Sequence, residues 1–276
     1  MKVYWSPEYN AAQATLETFR KSLWIAKSLQ SNPIAGVEIV APTPLTGLEL
    51  AQTHDPFYVG KVRQDKALWA SVAASNGGML QAARTALTEG VAGTLSSGLH
   101  HAQRGREKGF CTFNGLAHTA LTLLREGTVQ NVLILDLDAH CGGGTHSFFK
   151  SNPKVCCVDL STDEFDQYLP AQWNVLKIVE PALYLSNVLT TLQGLKTQHV
   201  DLVLYNAGMD PIHNGVSSYT LRKREKLVFE WCKDRGLPVA FTMAGGYLWD
   251  CPHLGRKLTR EELVNLHRIT IEAACM

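Results

Sequence analysis

A three-layer α/β/α sandwich around a mostly parallel central sheet is the fold class this sequence predicts, on three observations. Short apolar β-type runs alternate with longer helical patterns, most of those runs are continuously apolar, and the polar and glycine-rich clusters follow them directly. Continuous apolarity marks strands covered on both faces, the condition of a parallel sheet between helical layers. The chain has 276 residues, 45% of them hydrophobic. It shows no internal repeat, low-complexity tract or dividing linker, so a single domain over 1–276 is expected.

In chain order, strands are predicted at 2–5, 37–40, 93–96, 132–138, 155–160, 202–206 and 239–243. Between them, helical patterns cover 11–29, 65–89, 115–126, 183–195 and 219–235, and a last helix runs from 260 to 274. Gly236-Leu237-Pro238 stops the fifth helix, because glycine accepts the turn and proline cannot continue it. In such sheets ligands bind beyond the carboxyl ends of the strands. The polar clusters sit there.

Lys+Arg (26) and Asp+Glu (25) nearly cancel, leaving a formal charge of +1. A chain that grips phosphates would carry a basic excess, so no nucleic-acid partner is expected. No apolar run approaches the roughly 18 to 20 residues of a membrane span, so no membrane is expected either. The start, Met1-Lys2-Val3-Tyr4-Trp5-Ser6-Pro7, lacks the apolar core of a signal peptide. Seven cysteines, an odd number without C-x-x-C spacing, read as reduced thiols of a cytoplasmic protein. Oligomeric state leaves no trace in the sequence.

The strongest motif is Leu135-Asp136-Leu137-Asp138-Ala139-His140-Cys141-Gly142-Gly143-Gly144-Thr145. Period-two spacing places Asp136, Asp138 and His140 on one side of the extended chain. Carboxylate and imidazole suit a zinc-like ion, and the glycines let the backbone turn closely around it. The partner is Tyr205-Asn206-Ala207-Gly208-Met209-Asp210-Pro211. Asp210 would complete an Asp-His-Asp set with a fourth position open to water, as catalytic rather than structural zinc sites have. A third cluster, Ser96-Ser97-Gly98-Leu99-His100-His101-Ala102, offers adjacent histidines. These read as a surface pair, as metal ligands, or as a general acid/base. In Met243-Ala244-Gly245-Gly246-Tyr247 the glycines either swing a phenol into the site or make an ordinary turn.

Taken together and in this order, the clusters resemble the arginase/deacetylase superfamily, specifically its histone deacetylase-like branch. The resemblance includes 54–59, Gly109-Phe110-Cys111 with Phe113-Asn114, and 155–161, and it looks closest to small class IV-type and bacterial members. It implies one Zn2+ held by Asp138, His140 and Asp210, a proton-transfer pair in His100 and His101, and an oxyanion donor in Tyr247. By the same resemblance His101 is the general base and His100 shapes the site electrostatically. Gly109 and Phe110 would line an acyl-lysine channel, and Asp136, Asp159 and Leu160 would contribute to a nearby K+ site. The implied activity is zinc-dependent hydrolysis of an N-acyl amide, with acylated lysine or a small acylated amine as substrate.

Two positions depart from the family pattern. Gly143 stands where relatives carry an acid or amide, so His101 is expected to lack its orienting partner, and Asp159 stands where many have serine. Other readings are a catalytically weak or silent acyl-lysine-binding module, an acetylpolyamine or long-chain acyl amide hydrolase, and a two-manganese ureohydrolase. The last needs bridging carboxylates that the 206–210 stretch does not supply.

Overall fold

The computed structural model describes residues 1–12 and 17–276. Eight strands form one sheet: β1 (Lys2–Tyr4), β2 (Glu38–Val40), β3 (Val91–Thr94), β4 (Val132–Asp136), β5 (Val155–Ser161), β6 (Val175–Ile178), β7 (Leu202–Asn206) and β8 (Val239–Thr242). Their order is β2-β1-β3-β8-β7-β4-β5-β6, and every pairing is parallel. The helices are α1 (Glu17–Ser31), α2 (Gly47–Leu50), α3 (Pro56–Val62), α4 (Lys66–Glu89), α5 (Gly115–Arg125), α6 (Gly143–Phe149), α7 (Tyr184–Gly194), α8 (Ser218–Asp234) and α9 (Arg260–Ala274).

Alternation along each strand divides the interior into two apolar cores. From β4, Leu133 and Leu135 join side chains of α1, α7, α8 and α9, while Val132 and Ile134 join those of α3, α4 and α5. The expected three layers are therefore present, with β8 and β7 at the centre, β4 next to β7, and all three buried throughout. Of the helix predicted over 11–29, residues 13–16 lie outside the described residues, and α1 accounts for the described part from Glu17. The strand expected at 93–96 begins earlier, at Val91. Polar and glycine content hides α2, α3 and α6, and β6 is a partly exposed edge strand. Caps define the clearest helix starts: Thr259 and Glu262 form a reciprocal capping box at α9, and Asp65 accepts from two amides at α4.

Among the described residues, no helix is long and apolar enough to cross a membrane.

Buried histidines make stability depend on pH, His54 and His118 among them. Burial, above all, lowers His54 from its ordinary 6.5 to about 4, and His118 to about 3. His54 Nε2 accepts from the Asn114 amide at 3.0 Å, a bond that protonation would abolish. Since the folded values lie below the unfolded one, the unfolded chain takes up protons first. Stability is then complete above pH 6.5 and declines toward pH 4 by about 1.4 kcal/mol per pH unit for each such histidine. Urea unfolding of wild type and variant at pH 7.0, 6.0 and 5.0 isolates one such share of the slope. In His54→Gln it should fall by one histidine's share, and an unchanged slope would remove His54 from the account.

Candidate active site

The strand order sets β3, β8, β7, β4 and β5 side by side, so the loops after these five meet at one end of the sheet. Past the end of β4 the chain stays tied to its neighbour, the Leu137 amide donating to Asn206 O at 3.1 Å on β7. Beyond this point Asp138 Oδ1 accepts from His140 N (3.1 Å) and from His140 Nδ1 (3.0 Å), and Oδ2 accepts from Gly245 N (2.7 Å). Asp210 follows β7, and its Oδ1 accepts from Ala139 N at 2.9 Å. Asp138, His140 and Asp210 each offer a ligand atom within 4.8 Å of the others. Asp136 is not in this set; it faces His100.

These residues fit a metal ion. Asp210 Oδ2 is buried and has no hydrogen bond, although His140 Nδ1 lies 3.1 Å away, directed at Asp138. The cradle tolerates no extra atoms: a Cβ on Gly245 would lie 1.9 Å from Asp210 Oδ2, and one on Gly208 would lie 2.5 Å from Asp138 Cα. The charges are strongly coupled. Burial favours a neutral Asp138, yet His100 and His140 hold its carboxyl well below the usual range. Burial and the neighbouring Asp138 raise Asp210. Burial disfavours a charged His140, but both carboxylates outweigh it and raise its pKa to about 11. A cation bound here would displace that proton, since imidazole ligates only when deprotonated.

The rings of the two histidines lie 3.9 Å apart between centres, tilted by 38°, and each has a carboxylate on Nδ1. His100 donates to Asp136 Oδ2 at 2.8 Å, and Asp136 Oδ1 also accepts from Asn206 Nδ2 at 2.8 Å. His101 pairs with Asp166 Oδ2 at 2.9 Å. This corrects the expectation drawn from Gly143. The orienting acid exists, but it arrives on the loop after β5, where Asp166 also accepts from Gly144 N at 2.9 Å and ion-pairs with Lys108. Gly143 is what admits it, because a Cβ there would stand 2.2 Å from the Asp166 carbonyl oxygen. Burial opposes charge on His100, but Asp136 and Asp138 raise it to about 10; burial and the His100 charge lower His101 to about 4.

Asp159 and Asp136 are register partners on β5 and β4. Burial and the Asp136 charge raise Asp159 well above the carboxylate range, while Gly142 N (2.5 Å) and the Ser161 hydroxyl (2.7 Å) donate to it. The Leu160 side chain lies in the apolar core.

Tyr247 follows Gly246, whose φ of +140° belongs to glycine. Its ring stacks on Trp249 at 4.2 Å, and its amide donates to His213 Nε2 at 3.3 Å. Burial first, then the Asp210 and Asp138 charges, hold this phenol protonated. Lys21 donates to the Ala244 carbonyl of the same loop. Gly109 (φ +53°) backs onto His101, where a Cβ would meet Cδ2 at 2.4 Å, and Phe110 stands 69% exposed. The ring against the histidines is Phe165, 4.9 Å from His101 and 5.9 Å from His140. Sequence reasoning does not reach Phe165 and Asp166. A lone aromatic in the polar run Thr162-Asp163-Glu164-Phe165-Asp166, directly after a strand, is the only signal of them.

Comparison with known proteins bears on this arrangement. Residues 64–188 match the histone deacetylase domain family model. Histone deacetylase 2 of Arabidopsis thaliana is 26% identical over 192 residues, 62% of this chain and 48% of that protein. Over residues 64–188 the chain is thus similar to histone deacetylases. The fold of the chain matches the crystal structure of the HDA15 HD domain with a TM-score of 0.80, covering 99% of this chain and 88% of that one at 18% identity. An uncharacterized protein of Picosynechococcus sp. is 34% identical over 185 residues, 62% of this chain and 61% of its own. The acetoin utilization protein AcuC of Staphylococcus aureus is 54% identical over 59 residues, 21% of this chain and 15% of that protein. The matched stretch thus spans from 15% to 61% of the length of these curated relatives.

Proposed function

We propose that this chain is a zinc-dependent deacylase, a single catalytic domain that hydrolyses an N-acyl amide of an acylated lysine or small acylated amine. One constellation carries the reading: a convergent Asp138-His140-Asp210 set, a histidine oriented by its own carboxylate beside it, and a protonated phenol on the loop after β8. Zinc bound by the three ligands supplies Lewis acidity, polarising an amide carbonyl and making water acidic enough to be deprotonated near neutral pH. His101 is the general base: Asp166 fixes its Nδ1–H, leaving Nε2 to accept a proton. His100, turned toward Asp136, supplies positive charge beside the ligand carboxylates and returns a proton to the leaving amine. Tyr247 donates to the oxyanion developing on the substrate carbonyl. Gly109, Phe110 and Phe165 wall the acyl group, and Asp136, Asp159 and the Leu160 backbone border a K+ site.

Among the described residues this is the only His/Cys/Asp/Glu group able to converge on an ion, which favours one metal over two. The His101–Asp166 pair favours a working enzyme over a silent acyl-lysine-binding module. Acetylpolyamines and long-chain acyl amides suit the same core and belong in the test.

Elemental analysis should find one zinc per chain, lost in Asp138→Ala, His140→Ala or Asp210→Ala. Two ions per chain, or normal loading in those variants, would refute the one-metal site. A panel of acyl amides varying in chain length and amine, assayed with zinc-loaded protein, should show hydrolysis of at least one member. No hydrolysis across the panel with zinc bound would refute the deacylase reading.

A further inference from the structure

Beneath the ligand loops, away from solvent, lies an ion pair that none of these roles uses. Arg224 and Glu225 are consecutive residues of α8, and both side chains are completely buried. Nη1 of Arg224 donates to the Leu137 carbonyl at 3.0 Å and to the Tyr184 hydroxyl at 3.1 Å, and that hydroxyl donates to the same carbonyl at 3.1 Å. Nη2 lies 3.8 Å from Met209 Sδ. Nε donates to Glu225 Oε1 at 2.7 Å, which also accepts from the Tyr205 hydroxyl at 2.6 Å. Leu137 directly precedes Asp138, and Met209 directly precedes Asp210.

We infer that Arg224 is a positioning residue for the metal ligands, holding from below the two residues that aim Asp138 and Asp210. The inference rests on the metal reading above. The peptide joining Leu137 to Asp138 is clamped at both ends. Its carbonyl accepts from Arg224 and Tyr184, and its N–H, on Asp138, donates to Asp136 Oδ1 at 3.2 Å. Rotation of that plane would swing the Asp138 carboxylate out of the set and loosen the carboxylate that orients His100. A guanidinium fork is suited to such a clamp. Planar and rigid, it reaches Leu137, Met209 and Glu225 at once, which an ammonium on a flexible stem does not. Glu225 neutralises it, so the pair adds no net charge beside the ligands and acts through orientation. Stability alone does not call for such a pair, since a buried ion pair replaced by well-packed apolar side chains is often neutral or stabilising.

That last point supplies the test. The triple variant Arg224→Met/Glu225→Leu/Tyr205→Phe removes both charges and the hydroxyl that would lose its acceptor, leaving no unpaired buried charge. Zinc Kd by chelator competition and the thermal midpoint of the metal-free protein are measured together. The expected result is a near-normal midpoint with zinc bound roughly 10- to 100-fold more weakly, the range seen for outer-shell partners of metal sites. A folded triple variant with wild-type zinc affinity overturns the inference. Should the triple variant not fold, Arg224→Lys replaces it: it keeps the charge beside Glu225 but loses the fork. Weakened zinc binding at a normal midpoint then supports the role, and unchanged affinity overturns it. Failure of the wild-type protein to compete for zinc at all would strike the metal reading instead.

Discussion

Replacing Tyr247 by phenylalanine should lower kcat by roughly 10²- to 10³-fold, the usual effect of deleting one oxyanion donor. The change is confined to one oxygen. The ring keeps its stack on Trp249, and the glycines that shape the loop are untouched, so fold and zinc content should stay at wild-type levels. Because the phenol bonds an oxyanion rather than the resting carbonyl, the loss should fall on kcat with KM little changed. Steady-state kinetics on the best substrate of the acyl-amide panel decide it. Hydrolysis by Tyr247→Phe at the wild-type rate would mean the hydroxyl does not serve the reaction.

Truncating Asp166 to alanine should cost roughly 10²-fold or more in kcat, within the span of general acid/base effects. Without the carboxylate, nothing holds the Nδ1–H of His101, and the tautomer with a free Nε2 acceptor is no longer imposed. Asp166→Asn should recover part of the loss, since an amide oxygen still accepts from Nδ1 but leaves Lys108 without its counter-charge. Zinc loading should be normal in both. Gly143→Asp, which would return an acid to the place relatives use, should here lower activity, because its Cβ would collide with the Asp166 backbone. Wild-type turnover in Asp166→Ala, or a gain in Gly143→Asp, would show that Asp166 does not orient the base.

The contrast between Gly143 and Asp166 shows where sequence reasoning reaches its limit. The apolar run of β4 leads into Asp138 and His140 and that of β7 into Asp210, so the convergent set is legible from strand pattern and spacing alone. The α9 boundaries are equally plain, because Thr259 and Glu262 cap its first turn. Asp166 is not legible. It lies in an aperiodic loop, and only the sheet order brings that loop over His101. Arg224 and Glu225 are hidden for a different reason. They sit within Arg222-Lys223-Arg224-Glu225-Lys226, which reads as a solvated helix face, yet helical rotation turns these two inward to the Tyr184 and Tyr205 hydroxyls. The glycines at the start of α6 read as a turn. Gly144 is instead a close approach, its would-be Cβ standing 2.3 Å from the His101 carbonyl.

Five adjacent strands each deliver one loop to this site, and none of those loops holds a ligand pair for an ion without its neighbours except the stretch after β4. The contact order of the site is therefore high. Loop-closure entropy for the crossovers between β4 and β7 must be overcome before Asp210 meets Asp138 and His140, which favours slow assembly. Metal affinity consequently reports on the finished sheet rather than on any local segment. By linkage, free metal at about 1,000 times its Kd would add about 4 kcal/mol to the stability of the whole domain. Metal supply would then govern how long the folded chain persists as well as how fast it turns over.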